Sequence, residues 1–82
     1  MNFVELTEEL VKSIVNNPDS VSVKRFETDD EDFFHIEVLV DSEDMGLVIG
    51  KEGKIIKAIR TIVSASGYVQ GNKKIKIEVD SF

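Results

Sequence analysis

Gly50 and Gly53 stand three residues apart inside an apolar-periodic stretch, and they decide how this chain can fold. Without them, Met45 to Ser66 would read as one helix. Two glycines at this spacing mark a tight turn rather than helix interior, so the stretch divides. Met45-Gly46-Leu47-Val48-Ile49, with Ser42-Glu43-Asp44 as its start, has room for one or two turns. A longer helix follows from Lys54 to Ser66. At about 100° per residue, Ile55, Ile56, Ile59, Ile62 and Val63 centre on one face, and Lys54, Lys57, Arg60, Thr61 and Ser64 take the other. Gly67 is placed as the residue that ends it.

The flanking segments have a period of two. Phe34, Ile36, Val38 and Val40 alternate with His35, Glu37 and Leu39. Val21, Val23 and Phe26, set against Ser22 and Lys24, predict a shorter strand before it, so that residues 21–40 form a hairpin. Its loop is the polar run from Glu27 to Asp32. Lys74-Ile75-Lys76-Ile77-Glu78-Val79 predicts a third strand over 74–79, entered through Gly71-Asn72. Ahead of all these, Phe3, Val4, Leu6, Leu10, Val11, Ile14 and Val15 recur at helical spacing and are assigned to the core. That helix is expected within residues 1–17, opened by an Asn2/Glu5 capping box and stopped by Asn16-Asn17-Pro18-Asp19.

A hairpin makes the first two strands antiparallel. A crossover of about thirty residues makes the second and third parallel, with right-handed passage. The expectation is an α+β two-layer sandwich in the order α-β-β-α-α-β, with a three-stranded mixed sheet and its helices on one face. At 82 residues this is one domain, with helix–turn–helix over 43–66.

The formal net charge of −6 argues at first against a nucleic-acid partner, since affinity for phosphate comes from Lys and Arg. The charges are not mixed, however. Residues 1–44 hold 13 acids and 3 bases; residues 45–77 hold seven bases and one acid, Glu52. The second segment carries the glycine turn. No apolar run approaches the roughly 18 residues of a membrane span, and the first ten residues carry three glutamates rather than a basic leader. With no cysteine, disulfides and thiolate metal sites are excluded.

Catalytic constellations are missing as well. His35, the one histidine, lies in a strand and reads as a solvated surface residue. Asp30-x-Asp32 resembles a fragment of an EF-hand loop but lacks the glycine and distal glutamate. Gly46 to Lys51 has three residues between its glycines where a Walker A loop needs four, and Glu52 stands where Ser or Thr belongs. The chain reads as a non-enzyme with no cofactor and no metal.

The glycine turn is what remains. Gly50 and Gly53 let another backbone approach closely, and amides around the turn and at the following helix N-terminus favour anions. Lys51, Lys54 and Lys57 add full charges, while Val48, Ile49, Ile55 and Ile56 supply apolar surface. A basic clamp beside an aliphatic groove suits single-stranded nucleic acid. The other reading of the glycines is a connection that serves packing alone.

The run Val48-Ile49-Gly50-Lys51-Glu52-Gly53-Lys54-Ile55-Ile56-Lys57-Ala58-Ile59 resembles the signature of the KH domain, aliphatic-Ile-Gly-x-x-Gly-x-x-Ile-x-x-Ile. The order of the flanking elements is similar to the type II KH arrangement, and the length is similar to that of the small single-domain bacterial KH proteins of the KhpA family. The KH loop is known to clamp four backbone nucleotides. By resemblance, Gly50 and Gly53 are the loop glycines, and Lys51 and Glu52 its variable pair. Ile49 and Ile56 lie beside the groove, and Ile59 in the core. The resemblance implies a cytoplasmic RNA-binding protein or RNA chaperone acting in cell elongation and division. It also implies a homodimer, or a heterodimer with a second KH-containing protein.

Glu52 leaves the loop itself near neutral, so Lys54 and Lys57 must supply the excess charge. A modest, salt-sensitive binder of single-stranded RNA is expected. Lys73, Lys74 and Lys76 read either as an extension of the basic surface or, as the slightly favoured reading, as charges that keep a strand edge from aggregating; Arg60, on the solvated helix face, is placed to reach either RNA or water. The competing function is a protein-interaction module with little RNA binding.

Overall fold

The computed structural model describes residues 2–26, 28–29, 33–71 and 73–82. The hairpin loop from Glu27 to Asp32, with its Asp30-x-Asp32 fragment, falls mostly outside them, as does Asn72. The elements are α1 (Phe3–Lys12), β1 (Ser22–Phe26), β2 (Phe33–Val40), α2 (Met45–Ile49), α3 (Lys54–Val69) and β3 (Lys74–Ser81).

Asn2 opens α1 as its sequence suggests: the Glu5 N–H donates to Asn2 Oδ1 at 2.8 Å. The helix ends at Lys12, well short of the asparagines. Ser13 Oγ donates back to the Leu10 carbonyl at 2.6 Å, and the Ile14 N–H bonds Val11 three residues back, tightening and closing the last turn. Pro18–Ser20 then form a separate 3₁₀ turn. Val11 is fully buried, while Phe3, Leu6, Leu10, Ile14 and Val15 pack around the core with part of their surface open. Thr7, also fully buried, satisfies its hydroxyl on the Phe3 carbonyl at 2.7 Å.

The sheet runs β1-β2-β3, antiparallel then parallel, as the hairpin and crossover predict. Register assigns its two faces. Val38 lies between Val23 and Val79, and Ile36 between Arg25 and Ile77, on the side that packs against the helices. Phe26 pairs with His35 instead, which places it on the outer face, 44% exposed, and not among the inward residues of its strand. The inward position goes to Arg25, whose guanidinium lies 4.0 Å above the Phe34 ring. Its apolar stem and cation–π contact close the core at that edge.

Along α3 the buried positions are Ile56, Ile59, Val63 and Gly67. The expected face therefore needs correction: Ile55 and Ile62 are 40% and 47% exposed. Gly67 does not end the helix. It is buried three residues inside, where a Cβ would lie 2.8 Å from the Lys73 carbonyl oxygen and from Ile75 Cδ1. The helix rotates so that this bare backbone meets the start of β3, and the Lys73 N–H donates to the Gly67 carbonyl at 3.0 Å.

Asp44 joins the two halves of the chain. Fully buried ahead of α2, its carboxylate accepts from the N–H groups of Asn16 (3.2 Å) and Asn17 (3.0 Å) and from Asn17 Nδ2 (3.1 Å). Asp41 provides the capping contact read into this region, accepting from the Glu43 N–H at 2.9 Å.

Candidate nucleic-acid interface

Gly50 is required twice over. Its φ of 76° with ψ of 174° belongs to a region that essentially only glycine enters. A Cβ there would also collide with the Ile55 side chain and come within 2.9 Å of the Ile55 nitrogen. Its own N–H closes α2 on the Gly46 carbonyl at 2.9 Å. Lys51–Gly53 then form one 3₁₀ turn, in which the Gly53 N–H returns to the Gly50 carbonyl at 3.2 Å. Glu52 (φ 58°) and Gly53 (φ 74°) are both left-handed. Open space surrounds Gly53, so there only the backbone angle calls for glycine.

This turn aims α3 at solvent. No side chain caps the N-terminus of α3, so its first amides and the positive end of its dipole face outward. Lys51, Lys54 and Lys57 are exposed around that end. Among the described residues, no acid pairs with any of them, whereas Lys12 is bound to Glu8 at 3.0 Å and Lys76 lies 3.3 Å from Glu78. Glu52 is exposed in their midst.

The apolar side differs from the sequence reading. Val48 is fully buried and Ile56 is 5% exposed, so both belong to the core rather than to a groove surface. Ile49 is half-buried, and Leu47 and Ile55 are exposed. The aliphatic residues near the turn that keep surface open are thus Leu47, Ile49 and Ile55. Leu47 went unread as a surface residue, although Val48 turned inward on so short a helix leaves its neighbour outward.

Arg60 does not simply extend into solvent. Its Nη2 donates to the Ile77 carbonyl at 3.2 Å, bridging α3 to β3. A groove of about 550 Å³ surrounds this contact, lined by Phe33, Ser64, Ile75 and Glu78 among others. Lys74 and Lys76 sit on the outer sheet face, away from the helices that carry the turn. There His35 is half-buried rather than solvated, with Nε2 3.2 Å from Glu78 Oε2 and its ring 5.8 Å from Phe26. The Lys76 hydrogen bond, then His35, holds the Glu78 carboxyl below the usual carboxylate range.

An α-β-β-α-α-β chain with a parallel β2–β3 pair and a glycine turn between α2 and α3 has the type II KH fold. Two solved structures of the protein Era share it. Era from Aquifex aeolicus bound to GDP and aluminium fluoride superposes with a TM-score of 0.67 and 22% identity, over 96% of this chain. Era in complex with MgGDPNP and a segment of 16S ribosomal RNA gives 0.68 and 22% over the same share. This chain spans only 29% of Era's length in each case.

Residues 4–79 match the model of the KhpA/KhpB KH domain, and the chain belongs to that family. Similar relatives include the RNA-binding protein KhpA of Clostridium perfringens, 45% identical over 92% of this chain and 96% of the relative. The proteins of the same name from Listeria monocytogenes and Bacillus subtilis are 44% and 41% identical over the same share of this chain, and over 95% and 89% of their own lengths.

Proposed function

We propose that this protein binds a short stretch of single-stranded RNA. In this reading the Gly50–Gly53 turn and the α3 N-terminus hold phosphates, and bases lie on Leu47, Ile49 and Ile55. The observation that carries the proposal is the set of three exposed lysines, without acidic partners among the described residues, around an uncapped helix N-terminus. The relatives named as RNA-binding proteins support the same reading. By family likeness the protein acts as a cytoplasmic RNA chaperone, in a homodimer or a complex with a second KH-containing protein that affects cell elongation and division. One clamp of this size binds weakly, and pairing with another module raises its useful affinity.

Fluorescence anisotropy with a short single-stranded RNA tests the site. Three neutralised phosphates give a log–log salt slope of about −2. The double variant Lys51→Asp, Lys54→Asp should lose binding while keeping its circular dichroism; unchanged affinity would sink the proposal. The exposed apolar positions Ile55 and Ile62 favour the second reading, an interaction module with little RNA binding. Under that reading the purified protein carries no excess absorbance at 260 nm and shows no titration with RNA.

A further inference from the structure

β3 is an edge strand, paired among the described residues with β2 alone. Backbone groups of a strand point alternately to its two sides. The Phe82 N–H donates to Val40 of β2 at 3.1 Å, and the register runs unbroken from Lys74 to Ser81, so even-numbered residues turn their backbone toward β2. The N–H and C=O groups of Ile75, Ile77 and Val79 therefore line the open edge. Beside that edge runs a trough walled by α3. One hollow of about 550 Å³ is lined by Ile75 and Ile77, and a second of about 460 Å³ adjoins it past Thr61, Ala65 and Tyr68. The two share Arg60 and Ser64.

An edge strand facing a helix across a trough is a geometry in which an extended peptide adds as a further strand. Main-chain bonds then supply the attraction, and alternate side chains of the peptide enter the trough. We propose that β3 takes such a peptide from another protein, antiparallel to it, with a carboxylate side chain on the residue opposite Ile77. Arg60 dictates that residue. Its Nη2 already holds the Ile77 carbonyl at 3.2 Å, the acceptor that an added strand needs. The residue opposite Ile77 exchanges both backbone bonds with it and sends its side chain to the same face, toward Arg60 and Ser64. A carboxylate there receives the displaced guanidinium in a charge-assisted pair. An apolar side chain leaves Arg60 without an acceptor.

The outer face sets the flanking residues. Lys74 and Lys76 precede Ile77, Glu78 and Asp80 follow it, and all four are exposed. Opposite charges directly across a strand pair stabilise it. In the antiparallel direction the peptide is therefore basic before its central acid, opposite Asp80 and Glu78, and acidic after it, opposite Lys76 and Lys74. The same balance disfavours a phosphate chain. Along this edge it meets two acids for two lysines, unlike the lysine cluster at the glycine turn.

The inference is independent of the RNA reading above. NMR titration of the chain with the peptide Lys-Val-Lys-Glu-Glu-Val-Glu, acetylated and amidated at its ends, tests it. Saturable shifts and slowed amide exchange at Ile75, Ile77 and Val79 are expected. Leucine at the central position should weaken binding at least about tenfold, and Arg60→Ala should erase that difference. N-methylation of the central residue removes the N–H that bonds the Ile77 carbonyl and should abolish binding. The Lys51→Asp, Lys54→Asp variant should hold the peptide as the parent does, so either reading can fail alone. No shift at these amides with millimolar peptide overturns the proposal. So does binding indifferent to N-methylation, or a preference for the central acid that survives Arg60→Ala. Protection of the same amides by single-stranded RNA and not by peptide assigns the edge to nucleic acid instead. Protection that rises with the concentration of the chain alone assigns it to a second copy.

Discussion

The two ends of α2, five residues apart, treat charge in opposite ways. At the first end Asp44 is fully buried and its carboxylate is taken up by three N–H donors from the α1–β1 connection. At the second, Lys51, Lys54 and Lys57 stand in solvent with, among the described residues, no acid bound to them. An ion satisfied from within is architecture, because removing it leaves buried donors unmet. Ions left to water are binding capacity, because nothing in the fold depends on them. The short helix carries one kind of charge into the core and holds out the other.

The largest effect expected from this contrast is at Asp44. Asp44→Ala leaves two backbone N–H groups and the Asn17 amide without their acceptor, and stability in urea should fall by about 3 kcal/mol. RNA affinity, measured where the variant is folded, should hold. A variant that stays stable yet loses RNA would break the division between the two ends. Gly50→Ala should cost about 2 kcal/mol, from backbone strain and the Ile55 collision together. Gly53→Ala, with strain alone, should cost about half as much.

The paired change Lys51→Asp, Lys54→Asp inverts the Asp44 outcome. Stability should move by no more than about 0.5 kcal/mol while RNA affinity drops at least about tenfold. A smaller change of opposite sign is expected at Glu52. Glu52→Gly relieves a left-handed residue and removes a carboxylate from the clamp. Melting should show a gain of about 1 kcal/mol, and anisotropy a several-fold tighter complex. The smallest effect is on the outer sheet. Glu78 titrates below its ordinary range in the folded chain, so its contribution is present above the unfolded carboxylate value of about 4.3. That contribution fades as pH falls through the lower folded value. Glu78→Gln should flatten this part of the acid limb of a stability–pH curve, with a small loss at neutral pH and no change at its most acid end.

Period and punctuation made most of the fold legible. β2 alternates without a fault, and Gly50 and Gly53 locate the turn that the structure places between α2 and α3. What stayed hidden depends on distance along the chain. Asp44 reads as a local helix start, because its partners lie 27 and 28 residues away. Gly67 resembles a stop signal unless β3 is known to pass against it. Phe26 continues an apolar pattern by composition, but pairing with His35 sets its side. In the candidate site the polar residues were readable, since exposed lysines need no neighbour. The apolar ones were less so: Ile55 and Ile56 are equally hydrophobic, and only the rotation of α3 sends one out and the other in.

The pairing of β2 with β3 also bears on how fast the chain reaches this structure. Hairpin partners lie as close as Phe26 and His35, whereas every β2–β3 pair repeats the offset of Phe33 to Lys74. Closing so long a loop before its contacts form is slow, and helices inside the loop shorten the span to be closed. The sheet's parallel half should then form late, after α2 and α3 have shortened the crossover. In stopped-flow refolding, Val79→Ala should mainly speed unfolding, whereas helix-weakening changes on the exposed face of α3, such as Ala65→Gly, should slow folding itself.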